Sequence, residues 1–162
     1  MIVAHRGAAG KPTAMQIRPA DITDLPTIER IVRDAYTKYI ERIGKPPGPM
    51  LDDYRNVIRA HHAWVLEDGG DVAGIIVLLP EDDHLLLDNV ALDPAWHGRG
   101  LGRVLMEFAE REARRRGYDE LRLYTHEKMT ENVAMYSRLG WQETGRGEQA
   151  GYNRVFFRKP VT

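Results

Sequence analysis

Apolar side chains recur at Leu101, Val104, Leu105, Phe108, Ala109 and Ala113, the three- and four-residue spacing that lines one face of a helix. Glu107 and Glu110 fall outside that stripe. Arg114-Arg115-Arg116 close the last turn, where cations suit the helix dipole, and Gly117 follows as a stop. The same period runs through Leu25, Ile28, Val32, Ala35, Tyr36 and Tyr39, after the cap residues Asp21, Thr23 and Asp24 and with Pro26 in the first turn. It predicts a helix over residues 25–41. Shorter helices are predicted over 51–59, with Leu51, Tyr54, Val57 and Ile58 on one side, and over 131–139, stopped by Gly140. Alternating or continuous apolar runs predict strands over 16–19, 62–67, 72–79, 84–92, 120–125, 141–144 and 154–159. The run 72–79 is expected to be buried on both faces. Turn-forming residues at 68–71 and the glycine-rich stretch 145–151 predict hairpins, and Gly44-Lys45-Pro46-Pro47-Gly48-Pro49 predicts a loop. The resulting order, β-α-α-β-β-β-α-β-α-β-β, describes a mixed sheet with helices packed on it, an α/β or α+β domain.

Length and composition narrow the function classes. The chain has 162 residues with 43% hydrophobic content, enough for one domain with its own core. Residues 1–14 show no period and read as a flexible tail, with Met15 as an alternative start, which leaves 15–162 as a single domain. Charges nearly cancel, at 23 basic against 24 acidic residues, so nothing points to nucleic acid or to a membrane surface. Runs such as Ile75-Ile76-Val77-Leu78-Leu79 are too short to span a bilayer. There is no cysteine, which removes disulfides, thiolate metal sites and cysteine nucleophiles. The N-terminus lacks the apolar core of a signal peptide, and a cytoplasmic location is the simplest expectation.

The candidate chemistry lies at His97-Gly98-Arg99-Gly100-Leu101-Gly102-Arg103, between a predicted strand and the long helix. Glycines at a helix entry leave main-chain N–H groups bare at the positive end of the dipole, an arrangement that suits phosphate. Spacing rejects two familiar loops. A P-loop needs Gly-Lys followed by Ser or Thr, whereas Gly102 precedes Arg103 and Val104. A dinucleotide loop needs a third glycine where Arg103 stands, and it belongs near the first strand of its domain.

The segment from His97 to Gly102 resembles motif A of the GNAT acyltransferase superfamily, with glycines 100 and 102 matching and His97 replacing the usual Gln or Arg. Asn89-Val90-Ala91-Leu92-Asp93-Pro94 resembles the strand and turn before that loop. Asn132-Val133-Ala134-Met135-Tyr136-Ser137-Arg138-Leu139-Gly140-Trp141 resembles the second motif, in which an Asn opens a helix and a Tyr follows four residues on. The resemblance extends over residues 16–159. It implies a mixed, mostly antiparallel central sheet of about seven strands with helices on both faces. It also implies acetyl-CoA as co-substrate, a small-molecule or peptide amine as acceptor, no metal, and a homodimer as an allowed state. A non-catalytic acyl-CoA binding or sensing domain and a purely structural glycine corner are the alternatives.

On that resemblance, main-chain amides of His97, Gly98, Arg99, Gly100, Leu101, Gly102 and Arg103 would hold the diphosphate. Val90, Ala91 and Leu92 would pair with the pantetheine arm, and Asn132 would contact the same arm or cap its helix. Tyr136 corresponds to the tyrosine that supplies a proton or a hydrogen bond to the departing thiolate, and its alternative is a core aromatic. With no cysteine, transfer would be direct. An amine of pKa about 10.4 must first lose a proton, at a cost of about 4 kcal/mol at neutral pH, so a base or a water leading to one is expected. Asp88 and Asn89 lie on the strand approaching the thioester, on opposite faces by alternation. His126 and Glu127, then Glu67 and His84, are further candidates for the base. Tyr36, Tyr39 and the loop 46–50 lie where the family's first helices line the acceptor pocket.

Overall fold

The computed structural model describes residues 2–6 and 12–161. The chain runs β1 (Ile2–Arg6), β2 (Pro12–Pro19), α1 (Leu25–Ile43), α2 (Tyr54–Arg59), β3 (Ala63–Asp68), β4 (Asp71–Pro80), β5 (Leu85–Leu92), α3 (Leu101–Arg115), β6 (Glu120–His126), α4 (Thr130–Arg138), β7 (Gln142–Gln149) and β8 (Tyr152–Pro160). One sheet holds the strands in the order β1-β2-β3-β4-β5-β6-β8-β7. Every neighbouring pair is antiparallel except β5 with β6.

Helices cover both faces, as the resemblance implies. Leu101, Leu105, Phe108 and Ala109 of α3 pack with Ile76, Leu78 and Leu87 on one face. Ile28, Ile31 and Val32 of α1, with Tyr54 and Ile58 of α2, pack with Val65, Ile75 and Val77 on the other. The central strand β4 therefore serves two cores, which is why its run from Ala73 to Leu78 has no polar break.

Several boundaries differ from the sequence reading. Beyond the about seven strands expected, β1 adds an edge strand within residues 1–14 by pairing with β2, Ile2 opposite Gln16 and Arg6 opposite Pro12. Met1 and residues 7–11 of that stretch lie outside the described residues. The second helix starts at Tyr54 rather than 51, since Asp53 accepts the Asn56 amide at 3.2 Å and caps it there. The hairpin expected over 145–151 shrinks to a turn at Ala150-Gly151. Gly145 and Gly147 lie within the edge strand β7, opposite Phe156 and Arg154.

Two irregularities shape the functional end of the sheet. β5 and β6 pair only at Leu85–Leu121 and Leu86–Arg122 and then part. Against β4, Val77 lies opposite Asn89 and Leu78 opposite Leu87, so Asp88 is an extra residue, a bulge. The close approach of β4 to the end of β5 depends on Gly74, where a Cβ would meet the Ala91 carbonyl at 2.9 Å and a Leu92 methyl at 2.8 Å.

Candidate active site

The corner between β5 and α3 is built from short-range chemistry. Asp93 accepts the Ala95 amide at 3.0 Å and pairs with Arg30 of α1 at 3.0 Å, which fixes the turn after β5. Gly98 and Gly100 then take φ of 79° and 75°, a left-handed conformation that side chains resist. A Cβ at either would meet nothing within 4 Å, so the corner is open. The first helical bond of α3 runs from the Val104 amide to the Gly100 carbonyl at 3.4 Å. The amides of 98–103 therefore have no main-chain acceptor among the described residues. The Arg99 guanidinium lies over the Trp96 ring at 4.6 Å. Neither Arg99 nor Arg103 forms an ion pair with a described residue, so the corner carries uncompensated positive charge.

A groove of about 380 Å³ leads from this corner along β5, lined by Val90, Ala91, Leu92, His97, Gly102, Arg103 and Asn132. Leu101 is buried in the core at 3% exposure and does not line the groove. Ala91 is likewise buried, its methyl against the α1 side. Val90 pairs with Ile76 of β4. Its carbonyl accepts from the Tyr36 hydroxyl at 3.3 Å, beside the opening where β5 and β6 part.

A second, smaller cavity of about 130 Å³ lies on the far side of that opening. Tyr36, Val90 and Asn132 border both spaces, so the two meet there. Asp88 and Asn89 both border the smaller cavity, contrary to their expected opposite faces, because the bulge resets the alternation. Their roles separate at once. The Asn89 amide is committed, accepting from Tyr36 at 2.6 Å and donating to Tyr54 at 2.9 Å, and the Tyr54 hydroxyl in turn donates to the Pro49 carbonyl. Asn89 therefore positions β5 against α1 and α2. Asp88 is held by the Tyr124 hydroxyl alone, at 3.3 Å. Burial pushes its carboxyl above the ordinary range, against the opposing pull of Tyr124 and Arg154.

Tyr136 of α4 packs its ring on Trp141 and Phe157, at centroid distances of 5.9 and 5.7 Å. Its hydroxyl has no hydrogen-bond partner among the described residues, and the side chain borders the smaller cavity. Burial raises its pKa, so the phenol stays protonated and free to donate. Asn132 does not cap its helix: α4 starts at Thr130, which places Asn132 in the first turn. Its amide reaches only the Met129 sulfur, at 3.7 Å.

The remaining base candidates separate by position. His126 borders the smaller cavity, but its Nδ1 accepts the Lys128 amide at 3.1 Å, so the neutral ring carries its proton on Nε2 and is a donor there. Burial favours that neutral form. Glu127 lies outside the cavity and accepts from Asn153 at 3.2 Å. Glu67 is paired with Arg18 at 2.6 Å and His84 with Asp83 at 2.6 Å, both away from the opening. The smaller cavity also contains three residues that the sequence did not single out, Asp52, Tyr124 and Arg154. Asp52 precedes the α2 cap in a loop, and the other two sit in strands whose alternation reads as ordinary. Among the described residues, no three His, Asp or Glu side chains converge in a metal-holding group, and no helix is long and apolar enough to cross a membrane.

The Acetyltransferase (GNAT) family model matches residues 25–141. The Escherichia coli (strain K12) protein named Uncharacterized N-acetyltransferase YjgM is 29% identical over 140 residues, covering 81% of this chain and 84% of its own. N-acetyltransferase family 8 member 2 of Rattus norvegicus is 28% identical over 103 residues, 59% of this chain and 46% of that one. The chain thus spans about half the length of that relative and of others in its group. Among solved structures, PaiA N-acetyltransferase from Thermoplasma acidophilum in complex with coenzyme A superposes with a TM-score of 0.75 at 18% identity, covering 90% of this chain and 98% of that one. This last likeness is one of fold.

Proposed function

Because the chain belongs to the Acetyltransferase (GNAT) family, we propose that it moves the acetyl group of acetyl-CoA directly onto a primary amine, with no covalent enzyme intermediate. One observation carries the reading: the groove from the bare amides of 98–103 meets the Asp88–Tyr136 cavity where β5 and β6 part. In this reading the amides of 98–103, with Arg99 and Arg103, bind the diphosphate. The main-chain edge of β5 at Val90 and Leu92 extends the sheet to the pantetheine arm.

The residues divide the proton traffic. Asp88 takes the proton from the incoming amine, and its raised affinity suits that task. The amine nitrogen bonds to the acetyl carbon as the carbon–sulfur bond breaks. The Tyr136 hydroxyl donates a hydrogen bond to the departing thiolate, whose solution pKa is near 8.5. Asn89, locked between Tyr36 and Tyr54, holds β5 in register for both events.

Calorimetric titration with acetyl-CoA, followed by thiol release over a panel of amines, tests the proposal. Binding with thiol release supports it. Binding without turnover on any amine favours a sensing domain, and absence of binding refutes both.

A further inference from the structure

The smaller cavity holds a cation that acetyl transfer to a simple amine does not use. Arg154 of β8 lies with its guanidinium carbon 4.3 Å from the Tyr124 ring centroid and 4.9 Å from that of Tyr152. Its Nε is buried without any hydrogen-bond partner, the one such side-chain atom among the described residues. A buried donor left without a partner costs about 1–3 kcal/mol, and the guanidinium stacks on two rings rather than bonding to a described acceptor. Arg154 pairs with neither Asp52 nor Asp88, although all three border the cavity.

The cavity is also roofed. Lys45 donates to the Gly151 carbonyl at 2.7 Å and Tyr152 to the Pro46 carbonyl at 2.6 Å, which straps the 44–49 loop onto the β7–β8 turn. At about 130 Å³ the space is well below the roughly 300–1,000 Å³ of drug-sized pockets. An occupant must be small, must present an amine towards Asp88, and must offer an anion to Arg154. A planar carboxylate matches the guanidinium fork.

Resting on the acetyl-transfer reading, we propose that the acceptor is a free amino acid, its carboxylate held by Arg154 and its amine directed at Asp88. Arg154 is then a specificity-determining residue. The test measures kcat/KM by thiol release for the twenty amino acids, their methyl esters and the matching carboxylate-free amines, with wild type, Arg154→Gln and Arg154→Lys. For the best amino acid, loss of the carboxylate should cost the wild type about 10- to 100-fold, the scale of a charge-assisted hydrogen bond. Arg154→Gln should bring acid and ester close to parity, and Arg154→Lys should restore part of the preference. Acetyl-CoA affinity, read by calorimetry in each variant, reports that the fold is intact. Esters or simple amines turned over as well as the acids by the wild type would overturn this proposal while leaving acetyl transfer standing. So would an acid preference that survives in Arg154→Gln. Absence of acetyl-CoA binding, or of turnover on any amine, would overturn the transferase reading and this proposal with it.

Discussion

Replacing Tyr136 by Phe removes one oxygen and nothing else that the fold uses. The ring contacts with Trp141 and Phe157 stay, and the hydroxyl has no partner to lose. Stability should therefore change by no more than about 0.5 kcal/mol, which for a chain of this size is a shift of about 1–2 °C in Tm. Turnover should respond quite differently. A hydrogen bond to a charged group is worth about 1.5–3 kcal/mol, and each 1.36 kcal/mol is tenfold in rate, so loss of the donor to the thiolate should lower kcat by about 10- to 150-fold. Acetyl-CoA affinity should not move, because the donor acts only as the carbon–sulfur bond breaks. The measurements are thiol release at saturating acetyl-CoA, calorimetric Kd and a thermal scan. An unchanged kcat would remove Tyr136 from the chemistry. A Tm loss of several degrees would show that the hydroxyl serves the fold, and the reasoning from its free state would fail.

Asp88→Asn should lower kcat by about 10²- to 10⁴-fold. In the wild type, activity should fall on acidification through a pKa lying above the ordinary aspartate range, as burial of Asp88 requires, and a kcat/KM–pH profile reads both effects. Asp52 is pushed from the ordinary 3.8 up to about 6 by burial and by the neighbouring Asp88 charge. The folded chain thus holds that proton more tightly than the unfolded one, a contribution whole below about 3.8 and lost as pH rises through about 6. Asp52→Asn should accordingly raise Tm at pH 7 and not at pH 4, as thermal scans at the two pH values would show. Gly74→Ala should cost about 1–3 kcal/mol by overpacking, since its methyl would strike the Ala91 carbonyl. A lowered urea midpoint together with weaker acetyl-CoA binding would confirm that this contact holds the end of β5.

What could be read from the chain beforehand was whatever repeats or sits in a short motif. The stripe from Leu101 to Ala113 became α3, and the glycines at 98 and 100 became the open corner. Tyr136 could be placed because its neighbours in sequence form a pattern. Asp52, Tyr124 and Arg154 could not, because only the strand order brings β6 and β8 against the loop before α2. Asp88 was legible as a candidate, whereas the bulge that turns it and Asn89 towards one cavity is a matter of register between strands. Nor does pattern distinguish the committed amide of Asn89 from the available carboxylate beside it, since Tyr36 and Tyr54 come from elements 53 and 35 residues away.

The junction of β5 with β6 is two residue pairs long. Side chains of the α3 core run beneath it without interruption, but the main chain is stitched across the middle of the molecule by almost nothing. A cofactor arm lying in the gap would supply the missing rungs, behaving as a removable strand that joins two otherwise loosely tied flaps. The stabilisation it confers, about 2.7 kcal/mol at a hundredfold excess over Kd, should then fall unevenly on the fold. Amide exchange should slow most along the facing edges of this seam and least at the outer margins of the sheet, so loading the groove would change how the two flaps open as well as how stable the protein is.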